Sequence, residues 1–330
     1  MSEKFKAFVV REENGSFIRQ IEETSIETLP EGEVLINVKY SSLNYKDALS
    51  ASGHKGVTRK YPHTPGIDAA GIVALTSDKE IFAGDEVLVT GYDLGMNTPG
   101  GFGEYIRVPA EWVVKLPQGL NLRDSMILGT AGFTAALSLY KLELNGLKKD
   151  GEVLITGATG AVGSISIMIF SKAGYKITAS TGKQDKDGYL RKLGAAQVIN
   201  RDELNDTTGK ALLQKKWDAA VDTVGGNILT TVIKSLKNGG SAAACGLTLS
   251  NSITTTVYPF ILRGVNLLGI ASAETPMNLR LKLWEKLSHE WKPDKLSDFC
   301  TEISLNQLSE KIDLMLEGKI TGRILVNHTI

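Results

Sequence analysis

The chain has 330 residues, 42% hydrophobic and 22% charged, which excludes a disordered or collagen-like polymer and, at about 150 residues per domain, predicts two domains. Lys plus Arg (37) equals Asp plus Glu (37), so no basic field exists to grip a nucleic-acid backbone, and no apolar run approaches the roughly 20 residues that cross a bilayer. Cys245 and Cys300 are too few for a disulfide framework or a thiolate zinc lobe, and the opening MSEKFKAFVV has no apolar core before a small-residue cleavage site, so the expected location is the cytoplasm.

The first third holds short β-type runs bounded by Gly, Pro or Asp: KAFVV, VLINVKY, AAGIVAL, DEVLVTG, EYIRVP and WVVKLP. They predict a small all-β barrel or sandwich. From about Asn121 the pattern changes to helices alternating with strands. DSMILGTAGFTAALSLYKLELNG has helical spacing, GEVLIT is a short apolar strand, and a glycine-rich turn leads into the apolar helix SISIMIFSKAG. The strand YKITAS, the helix DGYLRKLGA and the strand QVIN follow, then WDAAVDTVG, a helix over about 227–237, GGSAAACG and VNLLGIAS. This alternation predicts a doubly wound parallel sheet, hence an α/β protein. NLRLKLWEKLSHEW reads as an amphipathic helix, and the tail, with a strand near Glu302, a helix over 306–317 and the strand GRILVN, reads as β-type material returning to the first domain.

In the glycine-rich turn, GATGAVG places Gly157, Gly160 and Gly163 between a strand and a helix. The first allows a tight turn, the second lets backbone amides approach a pyrophosphate, and the third lets the helix pack on the strand. The helix amides then face the phosphates. A NAD-binding chain places an acid about 20 residues on, at the end of the second strand. Here the stretch is Ser180, Thr181, Gly182 and Lys183, with Arg201 after the third strand, a set that suits a 2′-phosphate and favours NADP. Two alternatives stay open: Lys183 and Arg201 as solvated surface cations, and Asp185 or Asp187 reaching the ribose. Leu247, Ile261 and Ser272 lie after later strands or in the loops that follow, where a doubly wound sheet puts its ligand crevice, with core packing as the alternative, above all for Ile261. Cys245, ending an apolar strand, reads as a buried inert thiol.

Taken together, SSLNYKDAL (41–49), PGIDAAGIV (65–73), LGTAGFTAA (128–136), ITGATGAVGS (155–164), VDTVGG (221–226), ACGL (244–247), TVYPFILRGV (256–265) and GRILV (322–326) resemble the zinc-free branch of the medium-chain dehydrogenase/reductase superfamily. Within it the chain is similar to the bacterial quinone oxidoreductase type that includes NADPH-dependent acryloyl-CoA reductases. The resemblance implies a GroES-like catalytic domain (1–122 and 296–330) with an inserted Rossmann NADP-binding domain (123–295). Where zinc-dependent relatives carry a His ligand this chain has Ile67, and the Cys expected near Asn44 is absent, so no metal is expected. His54, His63, His289 and His328 read as ordinary polar histidines.

The resemblance further implies that Tyr45 meets the cofactor near its nicotinamide end and takes part in catalysis, with a half-buried barrel tyrosine as the alternative, and that Asn44 and Asp47 order the site unless their hydrogen bonds are purely local. Cofactor contacts carry over onto Thr159, Gly160, Ala161 and Val162 at the pyrophosphate, and onto Thr181, Gly182, Lys183 and Arg201 at the 2′-phosphate. Thr130 is expected either to meet the nicotinamide amide through its hydroxyl or to cap a helix. Asp68 reads as structural, with a general acid as the alternative, and Arg323 as facing either an anionic substrate or a surface partner. The implied chemistry is hydride transfer from NADPH to the activated double bond of an α,β-unsaturated acyl thioester, acryloyl-CoA first, with NADPH:quinone reduction as the rival. A silent NADPH-binding structural or sensor protein is the third reading. The edge strand VNLLGIAS implies a homodimer.

Overall fold

The structure, a computed structural model, describes residues 3–330. Its strands and helices are β1 (Lys4–Glu13), β2 (Ser16–Ser25), β3 (Val34–Leu43), α1 (Tyr45–Ala51), β4 (Asp68–Thr76), β5 (Glu86–Thr90), β6 (Tyr105–Val108), β7 (Val114–Lys115) and α2 (Leu122–Leu144). Then come β8 (Glu152–Ile155), α3 (Ala161–Lys172), β9 (Lys176–Thr181), α4 (Asp187–Leu193), β10 (Gln197–Asn200), β11 (Trp217–Asp222), α5 (Gly226–Ser235) and β12 (Leu236–Ala244). The chain closes with α6 (Tyr258–Arg263), β13 (Asn266–Gly269), α7 (Met277–Ser288), β14 (Cys300–Ile303), α8 (Leu308–Leu316) and β15 (Arg323–Asn327). Among the described residues no helix is long and apolar enough to cross a membrane.

Two compact units result. The first comprises the chain up to Thr130 with Ala273–Ser288 and Asp294–Ile330; the second comprises Ala131–Ser272 with His289–Pro293. The first boundary falls eight residues later than the sequence reading places it, and α7 joins the first unit rather than the second. Hydrogen bonds tie that segment to the first unit: the buried Arg280 of α7 donates to the Thr90 carbonyl (2.7 Å) and to the Ala273 carbonyl (2.9 Å), and the Tyr92 amide donates to the Ala273 carbonyl (3.0 Å).

The first unit is mostly antiparallel. Its larger sheet runs β14-β15-β3-β4-β5-β7, with β6 also on β3, and the returning β15 pairs with β3 from Ile324 opposite Leu43 to Asn327 opposite Tyr40. Alternating apolar residues bury one face, Val34, Ile36 and Val38 of β3 meeting Val87 and Val89 of β5 and Ile106 and Val108 of β6. A second core joins Phe8 and Val10 of β1 to Ala48 of α1, Ile312 of α8 and Val326 of β15. His63 and His328 lie within this unit. Their Nε2 atoms meet the Gly95 carbonyl (2.9 Å) and the Gly101 carbonyl (2.8 Å), anchoring the glycine-rich segment 91–103. Burial pushes the His328 pKa down to about 4.

In the second unit all six strands are parallel, in the order β10-β9-β8-β11-β12-β13. The order reverses direction between β8 and β11, the place where such sheets bind ligands. Residues Gly163 to Phe170 of α3 are buried all round, as expected for a helix apolar on every face. Helix α5 stops at Ser235, two residues before the expected end, because Leu236 is extended and opposes Trp217.

Candidate active site

In the second unit, Gly157 leaves β8 with φ +57°, a conformation open chiefly to glycine. The Gly160 amide donates back to the Gly157 carbonyl (3.0 Å), and Gly160 precedes α3 with no side chain to cap it. A Cβ on Gly163 would lie 2.5 Å from the Gly157 oxygen and 2.8 Å from the Ala158 Cα, so helix and turn touch through bare backbone. The first amides of a helix have no intrahelical acceptor, and those of Ala161 and Val162, half-buried beside exposed Gly160, are the ones this turn could offer to an anion. Thr159 is buried within it.

At the end of β9, Asn200 of β10 opposes Thr181, which brings Arg201 over Gly182. A Cβ on Gly182 would meet the Arg201 Nε at 2.7 Å, so glycine is what lets the guanidinium lie there. Thr181 Oγ1 accepts from the Lys183 amide (3.0 Å), and partial burial holds the Lys183 pKa below the usual lysine range. Asp185 pairs with Lys186 (2.8 Å) and Asp187 with Arg191 (2.7 Å). Both acids that the sequence leaves as ribose candidates therefore have cations of their own.

Leu247 and Ile261 are not core residues: they are 61% and 68% exposed, because Leu247 lies beyond the end of β12 and Ile261 on the outer face of α6. Ser272 accepts from the Thr134 hydroxyl (3.0 Å). Burial pushes the Cys245 pKa up to about 12.

The first unit builds a different kind of site. Arg323 and Asp68, both with fully buried side chains, form an ion pair at 3.0 Å. Asp68 also accepts from the Ser42 hydroxyl (2.6 Å), the Asn44 side-chain amide (2.8 Å), the Thr130 hydroxyl (2.6 Å) and the Thr130 backbone amide (3.0 Å). Arg323 donates to Ser42, to the Leu43 carbonyl (3.1 Å), to the Ile127 carbonyl (3.2 Å) and to Asn44 Oδ1 (2.8 Å). It thus faces neither substrate nor solvent. Helix α2 is interrupted at Gly129 (φ 49°, ψ −152°), and the interruption is what aims the Thr130 amide at Asp68. Because the Thr130 hydroxyl proton goes to Asp68, that oxygen can otherwise only accept.

Asn44 and Asp47 make hydrogen bonds that reach beyond their own turn. The Asn44 side chain is committed to Asp68, Arg323, Asp47 and the Ser42 carbonyl. Asp47 is buried and accepts from the amides of Asn44 (2.8 Å), Gly66 (3.1 Å) and Ile67 (2.9 Å). Burial pushes its pKa up to about 7 against the pull of those bonds. Both residues hold the start of α1 in place, and Tyr45, its first residue, remains 41% exposed. Its neighbour Lys46, which the sequence reading passes over, reaches the Met96 sulfur (3.7 Å).

Two family models match: "Alcohol dehydrogenase GroES-like domain" over residues 30–118 and "Zinc-binding dehydrogenase" over residues 161–288. A zinc ion does not fit this chain. Among the described residues no three His, Cys, Asp or Glu side chains are grouped to hold a metal, Ile67 is apolar, and Asp68 is already neutralised by Arg323. Bacillus subtilis YhfP, a quinone oxidoreductase by name, is 44% identical over 99% of both chains, and its crystal structure with NAD bound matches with a TM-score of 0.96, covering 99% of this chain and 100% of that one. Acrylyl-CoA reductase AcuI of Ruegeria pomeroyi is 42% identical over 98% of this chain and 99% of its own. The yhdH oxidoreductase of Salmonella enterica, solved in complex with NADP, is 40% identical, with a TM-score of 0.95 over 98% and 99% of the two chains.

Proposed function

Since the chain belongs to the medium-chain dehydrogenase/reductase superfamily, with its GroES-like and Rossmann-type domains, we propose that this oxidoreductase uses NADPH, without zinc, to reduce the activated double bond of an α,β-unsaturated acyl thioester, acryloyl-CoA first. The observation that carries the cofactor is the cation end of the nucleotide turn: Arg201 over Gly182, Lys183 beside it, and both nearby acids engaged elsewhere. A phosphate at the ribose 2′ position is what such a pair recognises. The relative solved with NADP and the relative named for acrylyl-CoA support the same reading.

Bound NADPH supplies the hydride. The chain's part is to hold and to polarise. In the second unit the backbone amides of Ala161 and Val162 hold the pyrophosphate, and Lys183 and Arg201 the 2′-phosphate. A hydride arriving at the β-carbon of an enoyl thioester leaves negative charge on the carbonyl oxygen, which a nearby donor must meet. In the first unit Asn44 and Arg323 are already spent on Asp68, so the donors left at the start of α1 are the Tyr45 phenol and the Lys46 ammonium. The α-carbon then takes its proton from water or from Tyr45. We place this reaction in the cytoplasm and in a homodimer, a second copy pairing with the outer edge of β13.

The test is an acceptor comparison: NADPH oxidation with acryloyl-CoA and with 1,4-benzoquinone, each as kcat/KM. Acryloyl-CoA should exceed the quinone by at least about a hundredfold, close to 3 kcal/mol of transition-state discrimination. A quinone preference hands the site to quinone reduction, the activity for which YhfP is named. Tight NADPH binding without turnover of either acceptor leaves a nucleotide-binding protein and no enzyme.

A further inference from the structure

Strands β8 and β11 lie side by side, with Leu154 opposite Ala220 and Ile155 opposite Val221, and the turn after each begins at the point where the sheet reverses its order. Three side chains tie these two turns together, and none has a part in holding the nucleotide as described above. The Thr156 hydroxyl donates to Asp222 Oδ1 (2.7 Å), and the Thr156 hydroxyl oxygen accepts from the Thr223 amide (3.1 Å). The Thr223 hydroxyl donates in return to the Thr156 carbonyl (3.0 Å). The second Asp222 oxygen accepts from the Gly225 amide (2.7 Å), which fixes the turn after β11 where Gly225 and Gly226 both have positive φ. Thr156 is 1% exposed and Asp222 0%, so a donor or acceptor lost here goes without water to replace it.

The contact with the nucleotide turn is direct. A Cβ on Gly157 would drive into the Thr223 hydroxyl, so Gly157 must be glycine twice over, once for its φ and once because Thr223 occupies the space. The height at which Gly157 leaves β8 is therefore set by a residue on the neighbouring strand's turn. Gly160 and the start of α3 are tied to Gly157 by the amide of Gly160 and the close approach of Gly163, so that height passes to the anion-facing amides.

We propose that Thr156, Asp222 and Thr223 form a latch across the β8–β11 reversal, positioning residues that set the pitch of the pyrophosphate turn without touching the dinucleotide. The proposal rests on the NADPH reading above. It separates two functions of the second unit. The 2′-phosphate end, on β9 and β10, is built by Gly182, Lys183 and Arg201 and owes nothing to the latch, while the pyrophosphate end depends on it.

The experiment measures binding of NADPH and of adenosine 2′-monophosphate, which carries the 2′-phosphate but no pyrophosphate, by calorimetry on the full chain. Thr156→Val keeps the side chain's shape and removes its hydroxyl; Thr156→Ser keeps the hydroxyl. Thr156→Val should weaken NADPH at least tenfold and leave adenosine 2′-monophosphate within twofold of the parent, and Thr156→Ser should return NADPH to within about threefold. Should Thr156→Val fail to fold, Thr223→Ala, at a half-buried position, should show the same split. Equal weakening of both ligands would reveal mere loosening of the unit and overturn the latch, as would unchanged NADPH binding. If the parent protein binds neither ligand, the NADPH reading itself falls and the latch with it; if the parent binds both, only the latch is in question.

Discussion

Replacing Arg201 or Lys183 by alanine separates the phosphorylated cofactor from its unphosphorylated twin, and the structure sets how far. A hydrogen bond between a charged side chain and a phosphate is worth about 1.5–3 kcal/mol. The Arg201 side chain is 63% exposed, with Asp202 3.9 Å from its Nε, so water and salt screen its contact and the low end applies. At about 1.4 kcal/mol per factor of ten, Arg201→Ala should weaken NADPH by about tenfold. Lys183 is partly buried, enough to hold its pKa below the usual lysine range, so an arriving phosphate relieves a cation already short of water. Lys183→Ala should therefore cost more, toward about 3 kcal/mol or roughly a hundredfold. Isothermal titration of NADPH and NADH at one fixed salt concentration reads both effects, and NADH should change by less than about twofold in either variant. An equal loss for the two cofactors, or NADPH binding that ignores both substitutions, would refute the assignment of this end of the sheet to a 2′-phosphate. Lys176→Ala is the control, because Lys176 opens β9 at the end opposite Thr181, and it should leave the NADPH to NADH ratio alone.

Arg323→Met strands the buried Asp68 carboxylate with neutral donors only, and urea unfolding should report a loss of about 3 kcal/mol; a loss under about 1 kcal/mol would mean that Ser42, Asn44 and Thr130 suffice. The His328 pKa is about 4 in the folded chain against 6.5 for the ordinary group, so the unfolded state binds the proton first, and this stability is intact above pH 6.5 and lost as pH falls toward 4. Replacing His328 by Gln keeps a donor for Gly101, and the stability difference between the two proteins should shrink or reverse across that window; a difference flat from pH 7 to 4 counts against the buried neutral ring. Dialysis against a chelator should leave turnover unchanged, and activity restored only by added zinc would sink the metal-free reading.

The parallel half of the fold was readable because each of its strands is a brief apolar run between turn residues, as at GEVLIT, and because α3 is apolar on every side. Strand β2 escaped notice for the opposite reason. SFIRQIEETS has no fully buried residue, and only Asn14 and Gly15, both with positive φ, announce the hairpin that makes it a strand. The glycine-rich turn was legible because its requirements are local, glycines at fixed spacing between a strand and a helix. The buried network of the first unit was not. Arg323 and Asp68 stand 255 residues apart, and nothing near either one distinguishes a buried guanidinium from a solvated one. Asn44 and Asp47 drew attention for their chemistry, yet their neighbours in space, Arg323 and the Ile67 amide, decide that the chemistry is spent on holding α1.

Protein engineers raise thermostability by trading glycines in helices for alanine, a change that ordinarily gains a few tenths to 1 kcal/mol. Gly129, inside α2, would be chosen by any such scan. An alanine methyl there would land 2.5 Å from the Asp68 carboxylate and would also collide with the Arg323 guanidinium. The residue that looks most expendable to a helix-propensity table is the one whose missing methyl makes room for two opposite charges, and a thermostabilised variant of this enzyme has to be designed around it.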